Sequence, residues 1–257
     1  MNNRRLQRFT IERKEHVGGN CLLTLVTSDG AELPLIAPGQ FVEVKVDAPG
    51  VLLRRPISVC DIIPDTRLVL LVKPVGKATS FMVDMPVGQQ LDILLPLGNG
   101  FDIAGSGGRR TLLVGGGVGL APMVMLSRAL YETGAEVTAV IGGRSRSEID
   151  GVTSLFIKGV DVSVSTDDGS FGHHGLVTQN PVFDREYDAI YTCGPTPMMK
   201  AVARIAAERG IECYASLENM MGCGIGACLC CVEKTTEGNL CVCTDGPVFK
   251  TDRLLWN

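Results

Sequence analysis

Six of the ten cysteines in this chain of 257 residues lie between Cys223 and Cys243. Thiols crowded into so short a stretch are either disulfide partners or metal ligands. A chain of this length without an evident export signal favours a metal. Within GCGIGACLCC, Cys223, Cys228 and Cys231 follow the pattern C-x4-C-x2-C, and eleven residues separate Cys231 from Cys243. That is the spacing of a plant-type [2Fe–2S] site. Ferric ions that share sulfides need four thiolates in roughly tetrahedral surroundings. Gly222, Gly224 and Gly226 let a loop wrap closely and aim amide N–H groups at sulfur, which helps to set the potential. Cys230 and Cys241 are then flanking or packed thiols. A zinc knuckle on Cys228, Cys231, Cys241 and Cys243 is the alternative, which the single residue between Cys241 and Cys243 fits poorly.

Two other stretches suit phosphates. LLVGGGVGLAP, from Leu112 to Pro122, delivers Gly115, Gly116, Gly117 and Gly119 between a buried strand and a helix. A helix N-terminus receives anions, although the glycines do not follow the usual dinucleotide fingerprint. A tight turn with no ligand is the alternative. Cys193, Gly194 and Pro195 end another strand before a helix, at the edge of an α/β sheet where ligands bind. There Cys193 sits near a nicotinamide ring or is simply a small buried residue. Arg144 and Arg146 follow a strand as well; they face the adenosine side or are solvated, and they keep a 2′-phosphate, hence NADP, open. In the first hundred residues, LRRPIS places Arg54 and Arg55 before Pro56, Ile57 and Ser58. Arg binds phosphate bidentately. The run Val72-Lys73-Pro74-Val75-Gly76-Lys77-Ala78-Thr79-Ser80 enters a short helix through a Gly turn, again suited to a diphosphate. An ordinary barrel corner with solvated charges is the alternative.

The elements that must hold these groups fall into three blocks. To about Phe101, short strand-like runs at 8–12, 21–26, 41–46, 56–60, 67–73 and 90–94 alternate with Gly and Pro, and one short helix is expected at 78–85. This predicts a small antiparallel barrel. From Arg110 to Cys213, strands alternate with helices, which predicts a parallel sheet covered on both faces. Ala215 to Asn257 is too short for an ordinary core and is expected to depend on its metal centre.

Composition excludes other classes. Lys and Arg number 24 against 28 Asp and Glu, and there is one Trp. A net charge of -4 with no aromatic–basic stripe gives no reason to expect nucleic acid or an anionic membrane. The start, MNNRRLQRFTIERKE, lacks the apolar run of a leader, and no apolar stretch approaches a bilayer span, so a cytoplasmic protein is expected. Asp167, Asp168, His173 and His174 read as a surface or domain-contact loop, and no acid–base pair stands out as catalytic.

Taken together, Arg55-Pro-Ile-Ser58, Gly76-x-x-Thr79, GGGVGLAP and Cys193-Gly-Pro-Thr-Pro-Met-Met resemble the ferredoxin–NADP reductase superfamily. The ending, GCGIGACLCCVE…VCTDGPVF, resembles the electron-transfer subunits of NAD-dependent dihydroorotate dehydrogenases. The resemblance covers almost the whole chain. It implies an all-β FAD-binding barrel (1–103), an α/β nicotinamide-binding domain (104–214) and a small [2Fe–2S] domain (215–257). It implies FAD along Arg55, Pro56, Ile57 and Ser58, with Val72, Lys73, Gly76, Ala78, Thr79 and Ser80 completing the cradle. Cys223, Cys228, Cys231 and Cys243 would hold the cluster, and NAD would dock at Gly115–Gly119 and Cys193–Pro195. It further implies an FMN-containing catalytic partner that oxidises dihydroorotate to orotate, in a heterotetramer of two of each subunit. The apolar Met220, Met221, Ile225 and Leu229 would face that partner, or else pack back on the barrel. Rival readings are a reductase subunit serving a hydrogenase or a ferredoxin-linked transhydrogenase, and a non-enzymatic redox sensor.

Overall fold

The structure is a computed structural model that describes residues 4–63 and 66–256. Its first part is a closed barrel of β1 (Arg5–Val17), β2 (Asn20–Thr27), β3 (Phe41–Val44), β4 (Arg55–Ile63), β5 (Arg67–Val72) and β6 (Gln90–Leu97), in the order β1-β2-β5-β4-β3-β6. Closure pairs every strand and leaves no open edge. Phe9, Leu23, Leu25, Val42, Leu68, Leu70 and Ile93 fill the interior. The helix α1 (Lys77–Asp84) closes one end by burying Ala78 and Met82. The strand β5 explains why LVLLV reads as a continuous apolar run: Leu68, Leu70 and Val72 point into the barrel, while Val69 and Leu71 join the core beneath the next domain. Successive strand residues face opposite ways, and here both faces are covered.

The second part alternates as expected: β7 (Arg110–Gly116), α2 (Ala121–Glu132), β8 (Glu136–Gly143), α3 (Arg146–Ile149), β9 (Asp161–Thr166), β10 (His173–His174), β11 (Ala189–Cys193), α4 (Thr196–Glu208) and β12 (Glu212–Ser216). The sheet runs β10-β9-β8-β7-β11-β12, all parallel. Leu113 packs with the α2 side chains Met123, Val124 and Leu126, and Leu112 and Val114 pack with Val202 and Ala206 of α4. The strand order reverses between β7 and β11, which opens a crevice at their carboxyl ends.

The cysteine segment is more firmly held than its length suggested. After the hairpin β13 (Val232–Thr235) and β14 (Gly238–Cys241), β15 (Val248–Lys250) adds to the main sheet antiparallel to β12. Phe41 and Leu97 of the barrel share one core with Ala215, Leu217, Cys231, Val242, Cys243 and Phe249. The segment therefore borrows its core from both neighbours and does not stand on the metal centre alone.

Candidate functional site

The barrel and the sheet enclose a cleft of about 280 Å³. Pro56, Ile57 and Ser58 of β4, Lys73 and Thr79 form one wall. Val118 and Ala121 of the glycine-rich turn form another, and Leu217, Glu218, Asn219 and Met221 close the third. This volume admits a flat ring system, with any tail running outside. Next to it lies the start of α1. Thr79 Oγ1 accepts from the amides of Val75 and Gly76, each at 3.1 Å, and the first turn holds no acidic residue. Gly76 and Lys77 are exposed there, so the helix end is open to a phosphate. Ser80 lies in the same turn, its amide bonded to the Gly76 carbonyl at 2.8 Å. Arg55 Nη1 donates to the carbonyls of Leu53 and Arg54. Two expected cradle residues point elsewhere: the Val72 and Ala78 side chains are buried in the barrel core. The reading from sequence missed Leu217, Glu218 and Asn219, because only the fold brings them opposite β4.

A second cavity lies at the sheet crevice. Gly116, Gly117, Gly142, Gly143, Pro195 and Met198 line it, and Lys73 is common to both cavities. Gly115 and Cys193 are register partners on adjacent strands. Gly119 is required by contact and Gly117 by its backbone conformation. A β-carbon on Gly119 would lie 2.5 Å from the Cys193 carbonyl oxygen, and Gly117 takes a φ of +55° at the turn into a short 3-10 helix before α2. Cys193 is fully buried, and desolvation holds its thiol well above the ordinary range. It is thus the small buried strand-end residue of the two readings, with Gly194 and Pro195 nearer open space. Its Sγ donates to Glu218 Oε1 at 3.7 Å. Glu218 keeps an exposed side on the cleft, but atoms crowded round its carboxyl raise its pKa.

Arg144 lines this cavity, whereas Arg146 lies outside it over the Phe171 ring, 5.1 Å from the centroid. Arg144 is already paired with a carboxylate. Its Nε donates to Glu148 Oε1 at 2.9 Å and its backbone N–H to Oε2 at 3.0 Å. The Arg144 side chain is the main cause that draws the Glu148 carboxyl down to about 2, and Lys73 adds a contact at 3.5 Å across the domain boundary. His173 and His174 are not loop residues as expected: they pair with Ser165 and Thr166 as the edge strand β10, with His174 exposed.

The four expected ligand cysteines come together in two pairs. The Cys228 amide donates to Cys223 Sγ, and the Cys243 amide to Cys231 Sγ. Cys231 and Cys243 are buried; Cys223 is half-buried and Cys228 exposed. Amides surround the sulfurs. Cys223 Sγ accepts from Ala227 at 3.3 Å and Cys228 at 3.4 Å, Cys243 Sγ from Gly226 at 3.1 Å, and Cys231 Sγ from Cys243 at 3.4 Å. Such donors stabilise anionic sulfur, and they draw the Cys228 thiol down to about 6, with the Cys230 amide first among them. Among the described residues no group of three or more Cys, His, Asp or Glu converges as a single ion would need. Two thiol pairs instead match a binuclear cluster, in which each iron takes two thiolates. Cys223, which the zinc knuckle leaves out, accepts two of these amides, so the donor set fits [2Fe–2S] better than a zinc knuckle. Asn99, just beyond β6, ties this loop to the barrel by donating to the Thr244 and Asp245 carbonyls at 2.9 and 3.1 Å. Glu43 of β3 lies under the loop, and a β-carbon on Gly224 would come 2.6 Å from its Cγ.

Comparison with known proteins agrees with this donor set. Residues 218–255 match the iron–sulfur cluster binding domain of dihydroorotate dehydrogenase B. Over 257 aligned residues, 97% of this chain and 98% of the relative, the sequence is 38% identical to the dihydroorotate dehydrogenase B (NAD(+)) electron transfer subunit of Geobacillus sp. (strain WCH70). The chain belongs to this family of electron transfer subunits. The family's subunit from Clostridium perfringens is 41% identical over 83% of this chain and 85% of its own. A solved structure of an NADH-dependent reduced ferredoxin–NADP oxidoreductase superposes with a TM-score of 0.85 at 30% identity, covering 96% of this chain and 90% of that one. Phthalate dioxygenase reductase shares the fold, with a TM-score of 0.68 at 20% identity over 90% and 87%. As a dihydroorotate dehydrogenase B electron transfer subunit, the protein works with FAD, a [2Fe–2S] cluster and NAD.

Proposed function

We propose that this subunit carries electrons from an FMN-containing catalytic partner to NAD+ as dihydroorotate is oxidised to orotate in pyrimidine biosynthesis. One observation supports the route above all. Leu217, Glu218, Asn219 and Met221 line the ring cleft, and the same strand of chain reaches Cys223 immediately afterwards. Ring site and thiol site are thus joined by a few residues of backbone. When bound, FAD exchanges a hydride with nicotinamide and single electrons with the cluster, and the protein's part is placement and tuning.

In this reading Arg55, Pro56, Ile57 and Ser58 hold the flavin edge with Lys73. Gly76, Thr79 and Ser80 at the start of α1 take its phosphates, and Val72 and Ala78 contribute backbone. Gly115, Gly116, Gly117 and Gly119, with Gly194 and Pro195, seat the nicotinamide nucleotide. Cys193 acts through its bond to Glu218, holding that carboxyl at the cleft mouth. Cys223, Cys228, Cys231 and Cys243 hold the cluster. The working units are 1–103, 104–214 and 215–257. Glu148 neutralises Arg144, which supports NAD over NADP.

The partner would dock over the cysteine loop. Met220, Leu229 and Ile225 are 86%, 62% and 46% exposed around it, while Met221 packs inward. We infer a heterotetramer of two of each subunit in the cytoplasm; no helix among the described residues is long and apolar enough to cross a membrane.

Co-expression with the candidate FMN subunit and an assay of NAD+ reduction by dihydroorotate tests the proposal. Turnover that needs both chains supports it. If dihydroorotate drives no turnover while NADH still reduces the bound flavin, the likeness to the ferredoxin–NADP oxidoreductase becomes the better guide to the partner.

A further inference from the structure

The cysteine loop holds more thiols than a [2Fe–2S] cluster uses. Cys230 and Cys241 remain after the four ligands are assigned, and they are placed differently. Cys241 belongs to β14, paired with Val232, and its amide is anchored on Asp245 Oδ2 at 2.6 Å. It is fixed beside the buried inner pair. Cys230 lies outside any strand, is exposed, and follows Leu229, an exposed residue with a φ of +59°. Its sulfur converges on the outer pair. From the point where Gly222 would carry a β-carbon, Cys228 Sγ lies at 3.3 Å and Cys230 Sγ at 3.5 Å. Cys230 Sγ also reaches the Cys228 carbonyl at 3.9 Å. The Cys228 and Cys230 sulfurs therefore flank one common point, which the absence of a side chain on Gly222 leaves clear.

We propose that Cys230 is a reserve ligand to the outer iron, able to take the place of Cys228. The proposal rests on the assignment of Cys223, Cys228, Cys231 and Cys243 as resident ligands. The exchange is balanced without an oxidant or reductant. The iron–sulfur bond to Cys228 breaks, the bond to Cys230 forms, and the proton on the Cys230 thiol passes to the departing Cys228 sulfur. One thiolate replaces another, so the iron keeps its charge and its four sulfur neighbours. Cys231, buried and adjacent, stays on the inner iron and acts as the pivot. The outer iron is the one nearest solvent, hence the one from which a ligand is most readily lost. A second thiol at that position retains the cluster through such a loss.

The test uses the full-length, FAD-loaded subunit, with C228A and C228A/C230A prepared anaerobically and reconstituted with ferrous iron and sulfide. Iron and sulfide content are measured, with the EPR spectrum of the dithionite-reduced protein; flavin content and thermal midpoint report the fold. The expected result is that C228A keeps most of its iron with shifted g-values, and the double variant loses the cluster while keeping its flavin. A C228A protein as empty as the double variant overturns the reserve role and leaves the resident assignment standing. Native spectra in both variants overturn the resident assignment itself. If C228A folds poorly, C228S and C228S/C230A give the same comparison, since an oxygen ligand and a second thiolate have distinct EPR signatures.

Discussion

Replacing Glu43 by Gln is expected to stabilise the subunit, and to do so far more at about pH 8 than at about pH 5. Glu43 is 1% exposed, and neither of its carboxyl oxygens has a hydrogen-bond partner among the described residues. Burial lifts its pKa from 4.5 to about 7, against smaller opposing pulls from Arg54 and Arg55. A carboxyl whose folded pKa exceeds its unfolded one binds more protons when folded. It is without penalty below the unfolded pKa, loses stability as pH rises through the interval, and bears a constant penalty above the folded pKa. A displacement from 4.5 to about 7, at about 1.4 kcal/mol per tenfold change in acidity, makes that penalty about 3 kcal/mol. Gln keeps the shape and cannot ionise. For a chain of this size, about 3 kcal/mol corresponds to a rise of roughly 6–12 °C in thermal midpoint. A bound cluster, itself negative, pushes the carboxyl in the same direction. The assay is thermal unfolding of native and E43Q subunits side by side at the two pH values, with the gap shrinking to a fraction of its size at the lower one. A gap of equal size at both would refute the reasoning, because the stabilisation would then not come from removing an ionisation.

Other outcomes follow from the same geometry. R55A should weaken flavin retention by roughly tenfold or more, the worth of a charge-assisted contact, read from the flavin-to-protein absorbance ratio after gel filtration. G119A places a β-carbon 2.5 Å from the Cys193 carbonyl oxygen. It should cost about 1–3 kcal/mol, seen as a lower thermal midpoint, and raise the KM for NADH in a diaphorase assay. E148A should free Arg144 and raise the ratio of NADPH to NADH activity. Because the native carboxyl is held down to about 2, the native preference should not change between about pH 5 and pH 8. C243A, at a buried ligand position, should lose iron, while limited proteolysis followed by mass spectrometry should reach only the cysteine loop, because β15 stays paired with β12.

Local rules carried much of this protein. The Gly and Pro punctuation of the first hundred residues marked the strands of a barrel, although β1 runs from Arg5 to Val17 where only Arg8–Glu12 stood out. Its polar, exposed outer positions hide the end of a strand that pairing with β2 and β6 extends. The helices at Lys77–Asp84 and Thr196–Glu208 follow from their Gly and Pro boundaries. The cysteine spacing pointed to the thiol site, because ligand distances along a short loop leave few ways to surround two irons. Other features had no local signal. Glu218 and Asn219 enter the cleft only because β12 ends opposite β4. Val72 and Ala78 turned inward because strand alternation and helix rotation are settled by which face finds a core. Glu43 became an unpartnered buried carboxyl only when the cysteine loop closed over β3. Spacing along the chain determines which groups can share an ion, since backbone reach is short. Which groups face one another across a cleft depends on how separate apolar faces are buried together, and only the tertiary structure decides that.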